Sequence, residues 1–271
     1  MKCPVCFRHC ELVEGQIGFC RARLNQGGRI VPRNYGAITS LALDPIEKKP
    51  LRLFHPGAKI LSLGSYGCNL RCPFCQNYDI SQRDLSSEAD ILSPEMVLAY
   101  AKELLPQGNI GVAYTYNEPL VSFEFVRDCG KLVHESGLLN VLVTNGTASL
   151  EVLSEILPYM DAMNIDLKGF SPEFYRYVGG DLPMVKDFIA ASAKKCHVEL
   201  TTLIVPGHND SLSLMEEEAA WIASLDHSIA LHITRYFPRY KEKEPPTELA
   251  LLEKLAAVAR KYLKNVFVGN V

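Results

Sequence analysis

Residues 58–75 read AKILSLGSYGCNLRCPFC, a short apolar run that passes through glycine into a loop bearing three cysteines. The run is near-continuously apolar rather than alternating, which is the form of a strand covered on both faces, as in a parallel sheet. Six further runs of this kind follow: NIGVAYTY from Asn109, NVLVTN from Asn140, AMNIDLK from Ala162, HVELTTLIV from His197, SIALHITRY from Ser228 and NVFVGNV from Asn265. Helical periodicity fills the intervals. Ser93 and Pro94 predict an N-cap and first helical residue, with Val97, Ala101 and Leu104 as the apolar stripe. Phe125, Cys129, Leu132 and Val133 repeat the stripe after the second run, which reads Cys129 as a small core hydrophobe. Leu212, Met215, Ala219 and Ile222 mark another helix, and PTELALLEKLAAVARKYL from Pro246 the last.

Strand and helix therefore alternate through 58–271, predicting an α/β fold in which a partial (β/α)6–7 TIM-type parallel barrel follows an N-terminal Cys-rich extension over 1–57. The extension is too poor in apolar residues to form a core of its own, so it is expected to pack on the barrel and to lean on a metal. A length of 271 residues, 48% hydrophobic and 22% charged, suits one or two globular domains or a single α/β barrel. Lys+Arg number 28 against Asp+Glu 31, giving a net charge of -3 that removes the usual support for bulk nucleic-acid binding. No apolar window is long enough to span a membrane, and MKCPVCFRHC lacks the apolar centre of a signal peptide, so the expected compartment is the cytoplasm. Seven of the nine cysteines fall in two tight groups, the pattern of metal ligation rather than of disulfides.

Cys68, Cys72 and Cys75, at spacings of four and three just after a strand, can converge on one soft metal centre. A cubane iron–sulfur cluster has four irons and is usually held by four cysteines, so a three-cysteine loop leaves one iron open for chemistry. An incomplete ligand shell at the C-terminal end of a barrel strand points to catalysis.

With an aromatic before its last cysteine, this CxxxCxxC loop resembles that of the radical S-adenosylmethionine (radical SAM) enzymes. The resemblance implies a [4Fe-4S] cluster whose open iron chelates the amino and carboxylate groups of SAM. It further implies reductive cleavage to methionine and a 5′-deoxyadenosyl radical, an electron donor such as flavodoxin or ferredoxin, and Phe74 near the adenine. From Ala58 onward the chain is similar to the pyruvate formate-lyase activating enzymes. Their Gly-Gly-Glu-Pro segment corresponds to TYNEP, where Tyr116 and Asn117 replace the glycines and Asn117 and Glu118 are candidates for the SAM amino group. VTNG places Thr144 and Asn145 toward the ribose or methionine moiety, although Val143 stands where those enzymes usually have Asp. In NIDLKGF, alternation sends Asp166 and Lys168 to one side and Leu167 to the other, and a carboxylate beside an ammonium suits a zwitterionic ligand. The activating enzymes have the same Asp-x-Lys pattern there, against the methionine part of SAM. His208, beyond Pro206-Gly207, is a further candidate at the rim, whereas His232 reads as a hydrogen-bonded core histidine.

Cys3, Cys6, Cys10 and Cys20 form C-x2-C-x3-C-x9-C, enough soft ligands to close a shell around zinc or an auxiliary iron–sulfur cluster. The shortness of the segment and the lack of a second ferredoxin-like cysteine run favour zinc. This knuckle, YGAITSLALDPIEKKPL and GCNLRCPFCQN together resemble the AmmeMemoRadiSam system radical SAM proteins nearly end to end. Longer members continue past the final GNV into another Cys-x-x-Cys segment. The expected activity is hydrogen abstraction from a substrate, with a glycine of a partner protein as the activating-enzyme-like target. Radical modification of a small molecule or peptide, and a non-catalytic iron–sulfur or zinc scaffold, are the alternatives.

Overall fold

The computed structural model describes residues 1–86 and 88–271. The chain begins with a hairpin of β1 (Arg23–Gln26) and β2 (Arg29–Pro32), followed by β3 (Ala37–Ile38) and β4 (Ser40–Pro45). The parallel series then runs β5 (Lys59–Gly64), β7 (Asn109–Tyr114), β8 (Leu139–Thr144), β9 (Ala162–Asp166), β10 (His197–Ile204), β11 (Ala230–Arg235) and β12 (Val266–Gly269). A short strand, β6 (Asp90–Ile91), pairs with β3. The eight-stranded sheet has the order β12-β11-β10-β9-β8-β7-β5-β4, parallel except for the antiparallel β4–β5 pair. It is the open parallel barrel anticipated from the seven apolar runs. Among the described residues no helix is long and apolar enough to cross a membrane.

Helices cover the outside: α1 (Tyr78–Ser81), α2 (Pro94–Glu103), α3 (Phe123–Glu135), α4 (Leu150–Ile156), α5 (Pro172–Val178), α6 (Leu182–Ser192), α7 (Leu212–Asp226) and α8 (Leu249–Ala259). Ser93 caps α2 as the sequence predicts, accepting the Met96 amide at 3.3 Å with Pro94 as first residue. Cys129 is fully buried on α3, and His232 is held by Glu199 at 2.6 Å. Both are structural, as expected.

Strand alternation divides the sheet into two sets of side chains. Leu61, Leu63, Val112, Leu142, Met163 and Leu200 face the helices and form the main core. Ile60, Ala113, Val141 and Ala162 point inward and are covered by Ile46 and Leu51 from the extension. Glu199 fastens this plug by accepting the amides of Arg52 and Leu53 at 3.0 and 2.8 Å. Farther along the same inward rows lie Val143, Asp166, Thr201, Leu203 and Thr234, which line an open cavity. One end of the barrel is thus stoppered and the other is free to bind.

The extension does more than pack on the barrel, because β4 is hydrogen-bonded to β5 over six residue pairs and supplies the sheet's last strand. Its knuckle lies against the cysteine loop. Arg8 donates to Asn69 O at 2.8 Å and to Gly179 O at 2.5 Å, while the Phe19 ring is sandwiched between the guanidinium groups of Arg8 and Arg71 at 3.5 and 3.8 Å. Gly67, at φ +88°, is required at this contact, since a Cβ there would stand 2.5 Å from Cys20 O.

Candidate active site

The cavity at the free end has a volume of about 390 Å³, and Cys68, Cys72 and Cys75 all line it. Their loop leaves β5 through Gly64 and Gly67, then turns so that Cys75 N bonds Cys72 O at 3.2 Å. Arg71 steadies the turn by donating to Cys68 O and Leu70 O at 2.8 and 2.7 Å and to Phe19 O. Leu70 N lies 3.4 Å from Cys68 Sγ, and Ser81 Oγ lies 3.2 Å from Cys75 Sγ. Burial, with Glu118 and the neighbouring thiols adding to it, pushes the Cys68 thiol well up, and burial pushes Cys72 up to about 12 although Lys168 acts the other way. Thiolates here need compensating positive charge.

Among the described residues, no fourth cysteine and no histidine lines the cavity, and no three of His, Cys, Asp or Glu stand close enough to hold a single ion. A four-iron cluster fits that donor set: each thiolate binds its own iron, so the sulfurs stand farther apart than around one ion, and one iron keeps an open position.

Asp166 and Lys168 reach the cavity together, with Lys168 Nζ donating to Asp166 Oδ2 at 2.7 Å. Burial pulls the Lys168 ammonium down, but Asp166 and the Cys72 thiolate outweigh it and hold it above its ordinary value. Asn209 orients the turn by donating to Lys168 O at 2.9 Å. Among the described residues Asp166 Oδ1 takes no hydrogen bond within the protein, so one carboxylate oxygen remains for a ligand. Phe74 lines the wall and is backed by Phe174, ring centroids 6.1 Å apart and nearly parallel.

Asn117, Glu118, Thr144 and Asn145 also line the cavity, but their polar atoms hold its frame together. Glu118 accepts from Thr144 Oγ1 at 2.8 Å, Asn145 N at 2.8 Å and Leu120 N at 3.0 Å. Burial nevertheless pushes its carboxyl up to about 7. Asn117 accepts from Ser65 N at 3.0 Å and donates to Tyr66 O and Gly67 O, both at 3.1 Å, fixing the approach to Cys68. Asn145 Nδ2 donates to Asn69 Oδ1 at 2.9 Å and lies 3.7 Å from Cys68 Sγ. All four residues expected near the ligand thus border the cavity, and Asn117 and Asn145 also tie the cysteine loop to the neighbouring strand ends.

His208 is the one candidate that does not line the cavity. Beyond the turn at Gly207 (φ +74°) it stacks on Tyr177 at 4.2 Å and faces Glu242 at 3.6 Å. The role of Tyr116, noted above only as replacing a glycine, was missed. It adopts φ +72°, the conformation for which glycine is favoured, and its ring lies over Gly64, where a Cβ would come within 2.8 Å. Its hydroxyl donates to Asp44 at 2.5 Å, and the buried Lys49 ammonium sits 4.6 Å from its ring. The backbone course that glycines would follow is thus kept by a tyrosine. Asn69 was also missed, its one sequence signal being a polar residue between two ligand cysteines.

An open parallel barrel with three thiols at its binding end and an acid–base pair facing them defines a class. Residues 63–217 match the radical SAM superfamily, and the chain belongs to it. Membership implies a [4Fe-4S] cluster and SAM. Over its full length the chain is 38% identical to an uncharacterized protein of Methanocaldococcus jannaschii, covering 81% of that protein. It is 26% identical to the pyruvate formate-lyase 1-activating enzyme of Escherichia coli over 57% of this chain and 64% of the enzyme. A radical SAM methyltransferase from Sphaerobacter thermophilus has a similar fold, with TM-score 0.61, 14% identity and coverage of 80% of this chain and 67% of that one.

Proposed function

We propose that this chain reductively cleaves SAM and uses the resulting radical to abstract hydrogen from a substrate, with a glycine of a partner protein as the target most in keeping with its activating-enzyme relative. The observation that carries the reading is the cavity itself: among the described residues, three thiols, no fourth cysteine or histidine, and an Asp–Lys pair with one free oxygen. A cluster held there supplies the electron that splits the sulfonium into methionine and a 5′-deoxyadenosyl radical. Cys68, Cys72 and Cys75 each hold one iron. Asp166 Oδ1 accepts from the amino group of SAM, and Lys168 donates to its carboxylate. Phe74 offers an apolar face beside the adenine, while Asn117, Glu118, Thr144 and Asn145 fix the loop and limit water around the thiols.

A one-electron donor of the flavodoxin or ferredoxin kind is the partner this chemistry needs. The test is anaerobic incubation of the iron-loaded protein with SAM and reductant, followed by chromatography for 5′-deoxyadenosine. Its formation, and its loss in Cys72→Ala, are expected. A loaded protein that binds SAM but forms none is a scaffold, and the proposal fails.

A further inference from the structure

Cys3, Cys6, Cys10 and Cys20 surround a second, separate cavity of about 10 Å³, close to the room one water molecule needs. Zinc–sulfur bonds of about 2.3 Å would place tetrahedral sulfurs roughly 3.8 Å apart, in mutual contact, with no such hollow between them. Sulfurs arranged around a water-sized space stand wider. Among the described residues no three of His, Cys, Asp or Glu are close enough to hold a single ion, and this covers the knuckle as it covers the three-cysteine loop. Neither thiol set is gathered around a single ion, and the knuckle shares this with the three-cysteine loop that family membership assigns to a [4Fe-4S] cluster.

The wall of the hollow carries a second signal. Arg23 is 3% exposed and lines the cavity beside Cys3. Its Nη1 donates to Glu124 at 2.7 Å, yet its buried Nε has no hydrogen-bond partner among the described residues. An unpaired buried guanidinium N–H is costly unless an acceptor completes it. Thiolate or sulfide at the cavity would do so, and Arg8, which also lines it, adds a second cation against the negative charge of four thiolates. Val5 and Val121 exclude water from the rest.

We propose that Cys3, Cys6, Cys10 and Cys20 hold a second, fully ligated iron–sulfur cluster of the four-iron type, in place of the zinc that the sequence favours. Asn69 lines this cavity, its neighbour Cys68 lines the other, and Asn145 links Asn69 Oδ1 to Cys68 Sγ. The two centres are therefore one side chain apart.

The test is metal analysis of the full chain carrying Cys68→Ala, Cys72→Ala and Cys75→Ala together, purified anaerobically and reconstituted with ferrous iron and sulfide. About four irons and four sulfides per chain, with brown charge-transfer absorbance, are expected. Zinc at about one per chain with little iron overturns the proposal, as does a folded chain with neither metal. Should the triple variant fail to fold, the wild-type chain decides: about eight irons without zinc supports two clusters, and about four irons with one zinc refutes the second.

Discussion

Replacing Lys168 by Met isolates one ionic contact, because it keeps the length and burial of the side chain while removing the ammonium. In the protein that ammonium lies 2.7 Å from Asp166 Oδ2, with side-chain exposures of 17% for Lys168 and 31% for Asp166. If Lys168 also meets the SAM carboxylate, its loss removes a charge-assisted hydrogen bond of about 1.5 to 3 kcal/mol, a roughly ten- to hundredfold rise in Kd. Asp166, losing its partner at a semi-exposed site, should cost only about 1 kcal/mol in stability, or roughly 2 to 4 °C in Tm. Binding and folding are thus expected to respond very differently. The assay is calorimetric SAM titration of the iron-loaded protein, with cluster absorbance checked in each variant. Asp166→Asn and the double variant complete a cycle, and the pair should couple in Kd by at least about 0.5 kcal/mol. A SAM Kd unchanged within twofold, beside a lowered Tm, would show that the pair only braces the end of β9.

Gly67→Ala should lower stability by more than about 1 to 2 kcal/mol, the cost of a left-handed alanine, because the new Cβ also meets Cys20 O at 2.5 Å; thermal unfolding and protease sensitivity of residues 1–57 measure it, and a wild-type profile would contradict the close contact. Glu218, buried on α7, is pushed up to about 8 by burial. The single hydroxyl proton of Thr202, 2.5 Å from Glu218 and 3.0 Å from Leu167 O, cannot serve both, so a protonated Glu218 completes the set. Its carboxyl is raised in the fold, so its contribution is full below about pH 4.5 and lost as pH rises through about 8. Glu218→Gln should flatten denaturant stability across that window, and an undiminished slope would place the titration elsewhere. Cys72→Ala should lose most of the absorbance of the three-cysteine site together with SAM cleavage; retention of both would remove Cys72 from the ligand set.

The barrel was legible because buried parallel strands must be apolar on both faces, and nothing else in the chain reads that way. Asp166 and Lys168 were legible for a related reason: strand alternation fixes their side whatever their partners are. The hydrogen bonds of Asn117 and Asn145 were not. Their hydrogen-bond partners, Ser65 and Asn69, lie 52 and 76 residues away, and only the assembled fold says whether an amide faces a ligand or a neighbouring loop. The stacking of His208 on Tyr177 was hidden likewise, since a ring beyond a glycine turn can lie on either side of the rim. The pairing of β4 onto the barrel sheet was not legible, because an edge strand with mixed burial is not required to be continuously apolar.

The docking of the extension has a consequence for how the chain is made. Arg8 finds its acceptor on Gly179, 171 residues later, and the Ile46–Leu51 plug is fastened by Glu199, 146 residues after Leu53. At about 5 to 20 residues per second, a ribosome needs roughly ten to thirty seconds to span such intervals. Contacts this remote also close slowly once both partners exist. The extension, made well before the elements it docks on, is therefore among the last to settle, and its four cysteines stay exposed to oxidants and to competing metals throughout that delay.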